Sequence, residues 1–165
     1  FPLGRPFLSM SPALPAANPS ASHWPVRRTF YVTYHDLDVL NHLNHATYFP
    51  WMETLRCDYY LPFLRTTDPS RLDIIVAETT CRYLAPVGYG EEIVGEVAPA
   101  RPLGRTSFTL LYRFSRTAAP PEIVARGRTV VVSFDYAKGA KKEIPATVRA
   151  TLEREGVDPS AEGWD

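Results

Sequence analysis

The chain has 165 residues, 45% hydrophobic and 22% charged, with 18 basic residues balanced by 18 acidic ones. One soluble domain with a single core fits that size, and the absence of net charge gives no pointer to nucleic acid or an anionic membrane surface. The two cysteines, Cys57 and Cys81, have neither CxxC nor Cys/His spacing, so there is no zinc signature, and both read as reduced core thiols of a cytoplasmic protein. No apolar run approaches the ~18 residues of a membrane span, so no membrane insertion is expected.

Residues 1–24 carry five of the sixteen prolines and a single Lys/Arg/Asp/Glu charge, Arg5. Such a composition has no periodic apolar face to bury, and it reads as a flexible tail leading into a domain at about Pro25. Prolines at 2, 6, 12 and 15 interrupt any secretory apolar core, and the chain starts at Phe1, so Met10 is a candidate natural start. The domain is expected over 25–156, followed by a C-terminal tail, 157–165.

From Arg27 to His35 the pattern alternates, with Phe30, Val32 and Tyr34 on one face, predicting a half-buried first strand. A polar cluster follows: Asp36, Asp38, Asn41, His42, Asn44 and His45. The period then changes. Tyr48, Trp51, Met52, Leu55, Tyr59 and Phe63 recur every three or four residues, predicting a helix of about 15 residues ending near Pro62. If that helix began at His45, Pro50 would remove an interior hydrogen bond. Either regular helix begins nearer Thr47 or the helix kinks.

Beyond a polar turn at Thr66 to Arg71, four strands are predicted at roughly Leu72–Leu84, Glu92–Ala100, Thr106–Arg116 and Ile123–Tyr136. The breakers between them are too short for crossover helices, which predicts antiparallel neighbours in the later strands. A final helix is predicted from Pro145 to Glu155, with Gly156 just past its end. The order strand, helix, four strands, helix is an α+β arrangement, with one helix against one curved antiparallel sheet. One helix covers only one face, so self-association is expected to cover the rest.

The run Tyr34–Tyr48, YHDLDVLNHLNHATY, resembles the DxDxxxHxNxxxY signature of hotdog-fold acyl-CoA thioesterases of the 4-hydroxybenzoyl-CoA thioesterase type. Gly104-Arg105-Thr106-Ser107, Ala125-Arg126-Gly127 and Ile144-Pro145 are similar to that family in order and spacing, so the likeness spans about residues 26–155. The resemblance implies a hotdog domain whose curved sheet wraps one long central helix. It implies an acyl-CoA or acyl-carrier-protein thioester as substrate, no cofactor, and a homodimer or homotetramer with the site at the interface and CoA phosphates on basic surface residues. It implies Asp38 as nucleophile or general base, and the backbone N–H of His45, at the helix start, as the group that polarises the thioester carbonyl.

Each residue also has a plainer reading. Asp36 reads as a turn or cap residue, and Asn41 and Asn44 as caps, with Asn44 also a candidate substrate anchor. His42 and His45 stand at i, i+3, but no third metal ligand is placed by the sequence, and hydrogen-bonded histidines suffice; His42 is also a candidate catalytic group beside Asp38. Tyr48 reads as core, and Tyr48, Trp51, Tyr59 and Tyr60 are candidates for shaping an acyl pocket. Two other function classes fit the same fold: a hydratase or dehydratase using Asp38 with His42, and a non-catalytic acyl-thioester binding protein.

Overall fold

The computed structural model describes residues 24–64 and 73–164, with the side chains of Phe63 and Leu64 outside that description. Of the expected tail, residues 1–24, all but Trp24 lie outside the described residues, as do the turn at 66–71, the strand start at Leu72 and the side chain of Phe63; Trp24 itself is buried. The elements in chain order are β1 (Val26–Tyr31), α1 (Tyr48–Leu64), β2 (Ile74–Tyr83), β3 (Glu92–Ala100), β4 (Ser107–Arg116), β5 (Ile123–Asp135), β6 (Ala140–Lys141) and α2 (Ala146–Glu155). The main strands form one antiparallel sheet in the order β1-β3-β4-β5-β2, with the short β6 beside β5. β1 and β2, neighbours in sequence, are thus the two edges, and the chain between them carries α1. The fold is the expected hotdog arrangement, a curled antiparallel sheet around one long helix.

Helix and sheet meet through side chains that the helical period predicts. Met52 and Leu55 are fully buried, Tyr59 nearly so, and they pack with Ile93, Val97, Leu110, Tyr112, Phe114 and Val131 of the sheet in one core. Two glycines give the helix room. A Cβ at Gly127 would overlap Met52 Sδ, and one at Gly95 would fall 2.7 Å from Phe30 and 2.9 Å from Leu55. Close helix–sheet approach, rather than turn geometry, is what these positions require.

The first strand is shorter than its alternation predicts. It ends at Tyr31, because the Thr33 N–H and hydroxyl both donate to Asp36 Oδ2, at 2.8 and 2.5 Å, and fold Tyr34–Asp36 into a 3₁₀ turn. A short polar side chain has outcompeted the strand ladder for the backbone. Val32 is buried as expected, whereas Tyr34 points to solvent.

The convex face of the sheet is partly covered by Trp24 and by residues 157–164. Trp24, Ala98, Ala100, Leu111 and Val157 form a second small apolar cluster. Residues 157–164 are held there by Val157 N–H on Pro99 O at 2.8 Å, Arg101 N–H on Val157 O at 2.9 Å, and a Glu162–Arg113 ion pair at 3.3 Å. Arg113 also sits 4.4 Å above the Trp24 ring. The edge β2 carries exposed apolar side chains, Ile75 and Val76 among them. Among the described residues no helix is long and apolar enough to cross a membrane, and Cys57 and Cys81 are free thiols, half-buried.

Candidate functional site

The polar cluster folds into a loop closed on itself. Asp38 Oδ1 accepts from the N–H groups of Leu40 and His42, at 2.8 and 3.1 Å, while the Asp38 N–H donates to His42 O at 2.8 Å. Asn41, at the tip, has φ of +59°, a left-handed conformation that asparagine tolerates better than most residues. Among the described residues Asp38 Oδ2 has no hydrogen-bond donor. The His42 N–H and then the Leu40 N–H hold the Asp38 carboxyl below its ordinary 3.8, with nearby His42 and His45 adding to the effect and burial opposing it. The side chains of His42 and His45 are exposed, as are Val39 and Leu40 at the loop tip.

The helix start is built by Asn44. Its side-chain oxygen accepts from the Ala46 N–H at 2.9 Å, and its carbonyl accepts from the Thr47 N–H at 2.9 Å, closing a 3₁₀ turn over His45–Thr47 that leads into α1. Regular helix therefore begins at Tyr48, Pro50 stands within its first turn, and no interior hydrogen bond is lost there. Asn44 is thus a cap. With Ala46 satisfied by it, the His45 N–H has no acceptor among the described residues.

A residue that the sequence did not single out completes this corner. Tyr83, the last residue of β2, donates its hydroxyl to His45 O at 3.1 Å, and its ring lies edge-on to His45 with centroids 6.2 Å apart. Burial, then the neighbouring Cys81, pushes the Tyr83 hydroxyl up to about 12, and burial pushes the Cys81 thiol up to about 11. Both are protonated at neutral pH. Nothing in the sequence links positions 83 and 45; the curl of the sheet brings them together.

The loop is braced from β2–β3. The Leu43 N–H donates to Val87 O at 2.7 Å, and that segment is pinned by Arg116, whose Nη2 donates to Pro86 O at 2.6 Å and whose Nε pairs with Glu91 at 2.6 Å. Glu91 in turn accepts from the Gly88 N–H at 2.6 Å. A half-buried arginine with two such partners gives a rigid floor.

Tyr48 and Trp51 do not stand beside the polar loop as free surfaces. Both are buried in an aromatic cluster, Trp51 stacked on Phe30 at 4.7 Å and Tyr48 edge-on to Trp51 at 5.6 Å and to Phe114 at 5.2 Å. Tyr59 donates its hydroxyl to Glu155 at 3.0 Å. Tyr60 lines a cavity of about 160 Å³ between α1 and β2, with Arg56, Cys57, Leu61, Ile74 and Val76. Among the described residues, no three His, Cys, Asp or Glu side chains come together as a metal site would need.

Residues 32–152 match the thioesterase-like superfamily. Solved structures resemble the chain over most of its length. A thioesterase superfamily protein from Jannaschia sp. CCS1 is 28% identical, with TM-score 0.70, covering 82% of this chain and 85% of that one. A thioesterase from Thermus thermophilus, complexed with coenzyme A and zinc, is 27% identical, with TM-score 0.68, covering 80% and 95%. A predicted thioesterase from Bacillus stearothermophilus, 22% identical with TM-score 0.73 over 81% and 97%, shares the fold. No curated protein matches the chain significantly.

Proposed function

The chain belongs to the thioesterase-like superfamily, and from that premise we propose that it hydrolyses an acyl-CoA thioester to the free acid and CoA. The observation that carries this reading is the pairing, in one loop, of a carboxylate oxygen, Asp38 Oδ2, without a donor among the described residues and an N–H, that of His45, without an acceptor among them. Thioester hydrolysis needs a group to attack, or to activate water for attack, at the carbonyl carbon. It also needs an aimed donor for the negative charge that develops on the carbonyl oxygen.

In this account the His45 N–H, at the positive end of α1, donates to the thioester oxygen, and Asn44 fixes its direction by capping the next residue. Asp38 then works in one of two ways. As nucleophile, its oxygen bonds to the acyl carbon as the C–S bond breaks and CoA leaves as thiolate; water then cleaves the mixed anhydride, regenerating the carboxylate. As general base, it takes a proton from water as the water adds to the carbonyl carbon, and the tetrahedral adduct collapses with C–S cleavage and loss of CoA as thiolate, which takes up the proton. The two hydrogen bonds to Oδ1 hold the carboxylate oriented in either case. The coenzyme A bound by the Thermus thermophilus thioesterase supports CoA as the thiol carrier.

We also take the active form to be a homodimer joined through β2, whose outer edge pairs with nothing in the described chain while carrying exposed Ile75 and Val76. Such pairing would enclose the cavity between α1 and β2 and give the acyl group an apolar wall. A panel of acyl-CoA substrates followed with a thiol-detecting reagent tests the function. Thiol release supports hydrolysis, loss of enoyl absorbance without it would indicate a hydratase, and binding without either would indicate a carrier protein.

A further inference from the structure

The candidate catalytic loop is gripped at both ends by a single turn, residues 86–91. At the loop's entry the Val32 N–H donates to Glu91 O at 3.0 Å, and the Gly90 N–H donates back to Val32 O at 3.0 Å. At its exit the Leu43 N–H donates to Val87 O at 2.7 Å. Val32, Leu43 and Val87 are buried, so water does not compete for these bonds. Asp38 lies between the two grips, and His45 follows the second by two residues. How the carboxylate stands against the His45 N–H therefore depends on the shape of the turn as well as on bonds inside the loop.

Two side chains fix that shape. Glu91 reaches back across the turn, its Oε1 accepting from the Gly88 N–H at 2.6 Å, while its Oε2 accepts from Arg116 Nε at 2.6 Å. Arg116 Nη2 donates to Pro86 O at 2.6 Å, and Nη1 donates to Glu122 at 2.7 Å. One planar guanidinium thus ties the first residue of the turn to the side chain of the last. Burial works against the charge on Glu91, yet Arg116 and the Gly88 N–H hold its carboxyl below the ordinary 4.5, so the pair is ionised at neutral pH. Among the described residues neither side chain bonds to the loop itself, and their hold on it passes through the backbone of the turn.

We propose that Glu91 and Arg116 act as one positioning unit for the candidate catalytic loop, fixing the turn that sets Asp38 against the His45 N–H. The inference rests on the thioesterase reading for the reaction, and on the hydrogen bonds alone for the brace. A group that attacks a carbonyl carbon and a donor that meets its oxygen work only when both stand in place. A displacement of about 1 Å, arising far from the chemistry, can cost about 100-fold in rate. Arg113 supplies an internal contrast. It stands on the same strand, with its side chain 26% exposed against 25% for Arg116, and it too pairs with two carboxylates, Glu96 and Glu162, neither of which lies in the turn.

The test compares Arg116→Gln, Glu91→Gln and Arg113→Gln in the full chain, by amide hydrogen exchange and by thiol release from acyl-CoA substrates. Arg116→Gln and Glu91→Gln each speed exchange at Asp38, Leu43 and Asn44 about tenfold or more, the scale of a lost hydrogen bond to a charged group, and leave β5 as in wild type. In both, kcat falls about 10- to 100-fold while KM is little changed. The double variant loses no more than either single one, because the two side chains act together. Arg116→Lys keeps a charge for Glu91 but not the fork that also reaches Pro86 O; it falls between, and it carries the test if the glutamine variants do not fold. Arg113→Gln loses stability but keeps the wild-type loop exchange and kcat. Wild-type loop exchange in Arg116→Gln and Glu91→Gln overturns the proposal, as does a fall in kcat no greater than that of Arg113→Gln. If the loop loosens as expected but wild type releases no thiol from any acyl-CoA, the brace stands and the thioesterase reading falls. Thiol release by wild type with loop exchange and kcat unaltered in both variants has the opposite meaning.

Discussion

Asp38 and His42 hold each other twice: the His42 N–H donates to Asp38 Oδ1 at 3.1 Å, and the Asp38 N–H donates to His42 O at 2.8 Å. The arrangement uses one carboxylate oxygen for structure and leaves the other without a donor among the described residues. Asp36, two residues earlier, has a different task, since its Oδ2 ties the Thr33 N–H and hydroxyl. Asp36→Ala is therefore expected to lower stability by about 1 kcal/mol, as for a lost cap, and to keep most of the turnover. Thermal melting and thiol release measured on the same preparation check this; a loss of turnover without a loss of stability would make Asp36 the catalytic carboxylate.

In the proposed mechanism the protonation of Asp38 sets the acid side of the pH profile. Its folded value lies below the ordinary 3.8 because the His42 and Leu40 N–H groups favour the charged form. A carboxyl with a depressed folded value contributes stability that is present above its unfolded value and lost as pH falls through the folded one. Both the stabilisation and the ionised catalyst are thus complete at neutral pH, and kcat/KM should show no acid limb from Asp38 between about pH 5 and 8. A limb near pH 6 that persists in His42→Gln and His45→Gln would contradict this assignment.

The seat of α1 on the sheet depends on Gly127. A Cβ there would overlap Met52 Sδ, so Gly127→Ala overpacks the core and should destabilise by about 1–3 kcal/mol. Met52→Ala removes the obstructing atoms, and the double variant should be more stable than the sum of the two single losses. Denaturant unfolding gives all three values, and strict additivity would show that the helix shifts instead.

The free edge of β2 predicts the assembly. Wild type should sediment as a dimer, and Val76→Lys, which places a charge on the pairing edge, should shift it toward monomer and reduce turnover. A fully active monomer at micromolar concentration would remove the claim.

Much of this was legible in the sequence because local periods reported it. The three-and-four spacing from Tyr48 placed α1, and Pro50 left two readings, a start nearer Thr47 or a kink, of which the chain has the first. Strand alternation placed β3, β4 and β5 to within about two residues. The end of β1 was not legible, because the bonds from Thr33 to Asp36 compete with a ladder whose period runs on through Tyr34. Nor was the burial of Trp24 against Leu111 and Val157, a contact between residues far apart in sequence. The contact of Tyr83 with His45 requires sheet order, which no single segment encodes.

The central claim is that Asp38 performs thioester chemistry, and the most direct measurement is thiol release from acyl-CoA substrates by wild type and Asp38→Asn. Asparagine keeps an oxygen able to accept from Leu40 and His42 but removes the charge. The account predicts steady CoA release by wild type and a decrease of about 100-fold or more in kcat for the variant, with KM little changed. Full turnover by Asp38→Asn, or no release of thiol by wild type from any acyl-CoA, would contradict it.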